Sequence, residues 1–414
     1  MSTQVEPGLP DLEPTGLAAI PFRVRENVKA GNLGSWPVVV VLAIIVIYFG
    51  FTANNFFTAV NFNNLIVQLA GTTMLAYGVV FVLLIGEIDL SIGFVSGVAG
   101  VVVAELQLPE SGHQIHDIGP IPAGVLIIGV ALLVCAAIGL FQGSIVSRIG
   151  VPAFVVTLAG LSIWQGVIQK ALPEQVVTIQ DNTINNVAGY FFSDAWGWAL
   201  AIIGVGAYAV VVAAGLASSR RHGVAVRDPL LVIAKLVGVA VLAFGAVAIC
   251  NSDRGVPFAL LLVIIMLILL TFLARRTTFG RHVYAVGGNA EGARRAGINV
   301  ARVRTLVFMI SSVMAGLGGV VLAARLNSVN VAAGSGTLLI DAISAAVIGG
   351  TSLFGGRGEV RNALFGAMVV VTIANGLNTQ NRSAGDILIA TGVILLVAVI
   401  VDTVLKRRQT KAGR

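Results

Sequence analysis

Blocks of apolar residues long enough to cross a lipid bilayer recur along this chain, and they restrict its fold more than any other feature. Trp36–Ala53 is the first, without a single charge. A run of about 18 such residues spans the hydrocarbon core as a helix. Lipid offers the backbone no hydrogen bonds, so spanning segments are helices or closed barrels, and blocks of this length fit helices. The balance of residues agrees: 57% of the 414 are hydrophobic and 11% charged, whereas a soluble domain carries about 25% charged. We read about twelve crossings, within a range of about ten to fourteen: 36–53, 63–86, 93–106, 121–146, 151–170, 197–216, 230–250, 257–273, 305–324, 338–353, 360–378 and 387–405. The expected fold is therefore all-α and polytopic. Runs 93–106 and 338–353 are short, as broken or re-entrant helices are.

The basic residues give an orientation. With the N-terminus in the cytoplasm, 21 of the 26 Lys and Arg fall on that side, seven of them between Arg275 and Arg304. This positive-inside bias places both termini in the cytoplasm. The loops 107–120 and 171–196 then lie outside, and neither contains Lys or Arg. Residues 1–35 hold four Pro and mixed charge and no apolar core near Met1. They read as a disordered cytoplasmic tail, and the first span as an anchor that stays in the protein. Residues 406–414 read as a basic tail. The net charge of +7 does not point to nucleic acid, because it is spread over short loops between spans.

Catalytic patterns are missing. There is no Gly-Lys dipeptide, hence no phosphate loop of the Walker type, and no H-E-x-x-H. His113 and His116, beside Glu110 and Asp117, read as a solvated loop rather than a metal site. Cys135 and Cys250 read as small apolar residues in helices. No catalytic residue, cofactor or metal is expected.

Three stretches remain. Gly86-Glu-Ile-Asp-Leu-Ser-Ile-Gly93 puts Glu87 and Asp89 between apolar runs, where carboxylates are costly unless they face water, a partner or protein. It reads either as a broken segment near a solute path or gate, or as a loop at the membrane face with a capping Asp. In the Arg275–Arg304 loop, Asn289 can cap a short helix, Glu291 suits its first turn, and Gly297 can end it. Such a helix can be pushed by a partner; a basic loop that only fixes orientation is the alternative. Asp341–Gly358 runs through two Gly pairs framing Thr351 and Ser352. It reads either as a break lining a cavity, with hydroxyls suited to an uncharged solute, or as a tight turn at the membrane face.

In this order, the three stretches resemble those of the membrane permease subunits of bacterial ATP-driven importers for ribose, xylose, arabinose and galactose. Thr278–Val300 is similar to that family's coupling segment, and Glu291, Ala293 and Gly297 fit a looser E-x-A-x-x-x-G pattern of ATP-driven importers. Ile88–Gly93 and Ala346–Gly358 are similar to two further family motifs. The resemblance runs from Trp36 onward. It implies a site for a separate cytoplasmic ATPase at Gly287, Gly288, Asn289, Glu291, Ala293, Arg294, Arg295 and Gly297. It also implies a solute path or gate touching Glu87, Asp89, Ser91, Asp341, Thr351 and Ser352. A second permease copy, an extracytoplasmic sugar-binding protein docking on 107–120 and 171–196, and a bacterial inner membrane come with it. The apparent extra pair at 197–250, with the turn Asn251–Pro257, is similar to xylose-type permeases and points to a pentose. Other solutes of such importers (ribose, galactose, a nucleoside, a branched-chain amino acid) stay open, as does a stand-alone proton-coupled carrier.

Overall fold

The computed structural model describes residues 36–109, 112–172, 176–222 and 229–411. The expected N-terminal tail, Glu110, Arg227 and the last three residues lie outside them.

Each of the twelve apolar blocks falls on a helix. In chain order these are α1 (Trp36–Thr52), α2 (Ala59–Leu84), α3 (Ile92–Gln107), α4 (Ala123–Ser144, continued by a π turn at Ile145–Ile149) and α5 (Ala153–Ala171). After the short α6 (Asn182–Gly189) come α7 (Asp194–Arg221), α8 (Pro229–Asn251) and α9 (Phe258–Arg276). Two short helices, α10 (Thr278–Gly288) and α11 (Ala290–Arg295), lead into α12 (Val300–Leu326). The chain closes with α13 (Leu338–Ile348), α14 (Val360–Thr379) and α15 (Ala384–Lys411). Seven of these are long and apolar enough to cross a membrane: α2, α4 with its π turn, α7, α8, α9, α12 and α14. Apolar stretches in α1, α3, α13 and α15 are shorter. The protein is thus an all-α, multi-pass membrane protein. The 406–414 segment, expected as a tail, continues α15 as helix as far as Lys411.

Two units are distinct and are described separately. One holds α7 and most of α8, where Trp198 stacks on Phe244 with ring centroids 6.1 Å apart. Only 6% of the most apolar window of either helix is buried, so the chain itself covers almost none of this apolar surface.

The other unit is the main bundle, with α2 and α12 as its axis. The apolar windows of these helices are 89% and 67% buried, against 33% for α4 and 22% for α9. Lipid tails are as apolar as Leu, so close packing of small residues, rather than escape from water, holds membrane helices together. Gly319 of α12 shows this directly, since a β-carbon there would run into the Ser96 carbonyl oxygen of α3. Tyr77, Phe81, Met74 and Leu75 of α2 and Phe308 of α12 fill the core. Asn61 and Asn375 exchange amide hydrogen bonds at 3.1 Å, tying α2 to α14.

At one end of the bundle, loops are pinned by short strands. β1 (Val176–Thr178) pairs antiparallel with β4 (Ser328–Asn330), and β2 (Phe191–Phe192) with β3 (Val256–Pro257). Gln107, closing α3, donates to the Thr178 carbonyl and accepts from the Gln180 and Asp181 amides. Asn63 donates to Asp253 at 2.9 Å. That amide, helped by Arg254, holds the Asp253 carboxyl below the usual range. From this end residues 331–337 dip alongside α3, where a β-carbon on Gly97 would meet the Ala333 carbonyl. α13 follows and has only 11 residues, ending five residues short of the expected run 338–353.

Gly319→Val should force α3 away from α12. We expect the midpoint of thermal unfolding in detergent to fall by several degrees, overpacking costing about 1–3 kcal/mol. Gly204→Val on α7, where nothing lies within 4 Å, is expected to leave it unchanged. Equal behaviour of the two variants would refute the packing role of Gly319.

Candidate coupling and gate site

The 275–304 loop folds as two helices rather than the one expected. Thr277 starts α10 by accepting from the Gly280 amide at 3.1 Å. Asn289 starts α11 by accepting from the Gly292 amide at 2.8 Å. Glu291 sits in the first turn of α11, where a negative charge suits the helix dipole. α11 closes at Gly297, whose φ of +83° is the left-handed conformation such a stop requires. There the Gly297 amide bonds the Arg294 carbonyl, and the Ile298 amide bonds that of Ala293. Asn299 then caps α12 through the Arg302 amide. Ala293 points inward and is 5% exposed, while Glu291, Arg294 and Arg295 face out. Their pairing at 3.4 and 3.5 Å is exposed and is worth about 0.3–0.5 kcal/mol. Its main result is a charged, rigid outer surface. Beside it opens a cleft of about 410 Å³ lined by Ser147, Arg294, Ile298, Asn299, Ala301 and Arg304.

The three stretches singled out in the sequence meet here. The Gly356 amide donates to the Leu84 carbonyl at 2.8 Å. Tyr284 of α10 donates its hydroxyl to the Gly358 carbonyl at 2.7 Å, and burial pushes its phenol up. Glu359 is paired with both Arg275 and Arg361. Arg304, in the first turns of α12, meets Glu87 at 3.3 Å. Burial pushes the Glu87 carboxyl up and the Arg304 charge draws it back. Ser147 and Thr305 share a hydrogen bond at 2.7 Å, bringing the Arg148 loop to the same end. The loops carrying Arg148, Arg275 to Arg304, and Arg361 thus cluster at one end of the bundle.

Asp89 and Ser91 lie deeper. Asp89 is 4% exposed and accepts from the Ser91 amide at 2.9 Å, the Ser91 hydroxyl at 2.7 Å and Ser311 of α12 at 3.3 Å. No cation pairs with it among the described residues. Ser311 is seven residues beyond Arg304, or about 10 Å along the helix. Ser91 also lies 3.1 Å from the Gln142 amide of α4. Ser91 stands at the start of α3 without capping it through its side chain, and its own amide is held by Asp89. Thr351 and Ser352 lie in the turn between α13 and α14. The Thr351 hydroxyl is buried against Gly358 without a hydrogen-bond partner among the described residues, and Ser352 accepts from the Phe354 amide at 3.2 Å. Asp341 is apart from these, in the first turn of α13, its Oδ1 buried without a hydrogen-bond partner among the described residues. The residues not foreseen are Tyr284, Arg304 and Glu359 at the end, and Gln142 and Ser311 within. Glu359 carries a sequence signal, a lone acid between Arg357 and Arg361.

Comparison with known proteins matches residues 61–401 to the family described as branched-chain amino acid transport system / permease component. The xylose transport system permease protein XylH of Escherichia coli (strain K12) is 34% identical over 92% of this chain and 95% of its own. XylH of Haemophilus influenzae is 32% identical over 92% and 99%. The ribose import permease protein RbsC of Escherichia coli (strain K12) is 28% identical over 88% and 92%. No solved structure matches. The chain is a transport subunit rather than an enzyme, and it belongs to this family of membrane permease components.

Proposed function

We propose that this chain is the permease subunit of an ATP-driven importer for a monosaccharide, a pentose such as xylose, in a bacterial inner membrane. One observation carries the reading: a rigid, charged helix pair at the arginine-rich end is joined to the turns that end α2 and α13. A separate ATPase docking on Gly287, Gly288, Asn289, Glu291, Ala293, Arg294, Arg295 and Gly297 would push on both at once. The arginine bias makes this the cytoplasmic face, with both termini inside and about twelve crossings. Two copies enclose the path, and a sugar-binding protein docks on the opposite loops, 107–120 and 171–196. The relatives named for xylose and ribose support a sugar. So does the bundle interior, where Asp89 is the one charged side chain among the buried residues described. A zwitterionic amino acid would want counter-charges of both signs.

Glu87, Thr351 and Ser352 belong to the gate at this end, and Asp341 to the path beside α13. Asp89 and Ser91 shape the gate by fixing where α3 begins. Asp89→Asn keeps an acceptor for the Ser91 amide and is expected to retain uptake within a few-fold. Asp89→Leu strands those donors, costing about 1–3 kcal/mol, and is expected to cut uptake more than tenfold. Equal loss in both variants would assign Asp89 to the solute instead.

The decisive measurement is uptake of labelled xylose into proteoliposomes holding this chain, the ATPase and the binding protein. Uptake should need both ATP and the binding protein. Uptake without them would replace the importer by a stand-alone carrier. Glu291→Lys reverses the charge on the outer surface of α11, and we expect it to abolish copurification of the ATPase while the chain still inserts.

A further inference from the structure

At the arginine-rich end the three stretches are joined mainly backbone to backbone. We infer that they form a clasp, in which the α10–α11 segment, the α2–α3 turn and the α13–α14 turn move as one body. Glu87, Arg304 and Tyr284 are its positioning residues. The inference rests on the proposed docking role of α10 and α11.

The contacts are unusually close. A β-carbon on Gly287 would enter the Leu84 carbonyl oxygen. One on Gly355 would lie 2.8 Å from the Gly287 oxygen and 3.0 Å from the Gly86 nitrogen. One on Gly356 would lie 3.1 Å from the Gly288 α-carbon. Gly355 and Gly356 also hold φ of +83° and +73°, which other residues adopt only with strain. No side chain separates these strips of backbone, so no change of rotamer can absorb a displacement between them. Packed interfaces of this kind shift between discrete arrangements or not at all. The Gly356–Leu84 hydrogen bond and the Tyr284–Gly358 hydrogen bond cross the same seams.

The grip falls on the bundle axis. Leu84 ends α2, Glu87 follows in the turn after it, and Arg304 lies near the start of α12; α2 and α12 are the most buried of the long helices. A push on α10 and α11 therefore enters both axis helices and the α13 turn together. Asp89 and its Ser311 bond lie about 10 Å further in on the same helix, within reach of that motion.

The test uses the chain assembled with its ATPase and binding protein in proteoliposomes, reading solute moved per ATP hydrolysed. Glu87→Gln and Arg304→Gln, singly, should lower that ratio about fivefold or more, the lower end of ordinary coupling strengths, while the ATPase still copurifies. Tyr284→Phe, the mildest change, should lower it in the same direction. Exchange of the charges, Glu87→Arg with Arg304→Glu, should restore most of it. A further pair, Glu87→Cys with Arg304→Cys in a chain carrying Cys135→Ala and Cys250→Ala, can be tethered by a short bis-maleimide. If the parts move as one body, the tether should restore transport. An unchanged ratio in the single variants, or a tether that blocks uptake, overturns the clasp. Failure of the unaltered chain to hold the ATPase would instead overturn the docking reading on which it rests.

Discussion

Every feature of this bundle answers to the absence of water around its backbone. A continuous helix satisfies its own amides, but a break leaves some exposed, and in lipid each costs several kcal/mol. The breaks here are closed by the protein itself. Asp89 takes the Ser91 amide where α3 begins. Ser352 bonds the Arg357 carbonyl across the turn after α13. Ala333 and Gly334 lie against Gly97 and Gly93 of α3. The first two closures lie against the α2–α12 axis and the third against α3, so the interruptions fall where they can be supported.

Rigid parts and movable parts are thereby separated. Along α12, small residues let α2, α3 and α4 approach within backbone contact, and no slack remains between them. The looser elements are those of the other unit. α7 and α8 bury almost nothing. Alternating access in such a molecule is motion of bodies against one another rather than bending within the core.

The sequence made the helices legible because burial in lipid is written as composition. All twelve apolar blocks fall on helices, and the short runs 93–106 and 338–353 become the short helices α3 and α13, of 16 and 11 residues. The stop and start of α11 were legible too, since Asn caps and left-handed Gly act within a few residues. α10 was not. Its Thr278–Gly288 sequence holds three Gly and an apolar run of only four residues, and it is helical because Thr277 caps it and Val283 and Val286 are buried. The start of α12 was placed too late because Arg302 and Arg304 look like loop, whereas Arg304 is helical and paired with Glu87. The meeting of the three stretches was invisible as well. Its closest contacts run through glycine backbone, which leaves no periodicity or hydrophobic face in one sequence, and the Glu87–Arg304 pair joins residues too far apart in the chain to be matched by spacing.

That same blankness has a consequence for how such a machine can diversify. A joint made of main chain is indifferent to the identity of the residues around it. Side chains lining the solute route can be exchanged without retuning it, provided the glycines and their angles stay. Cargo and drive are then separable inheritances: one engine geometry can serve many freights, and a change of freight need not rebuild the engine.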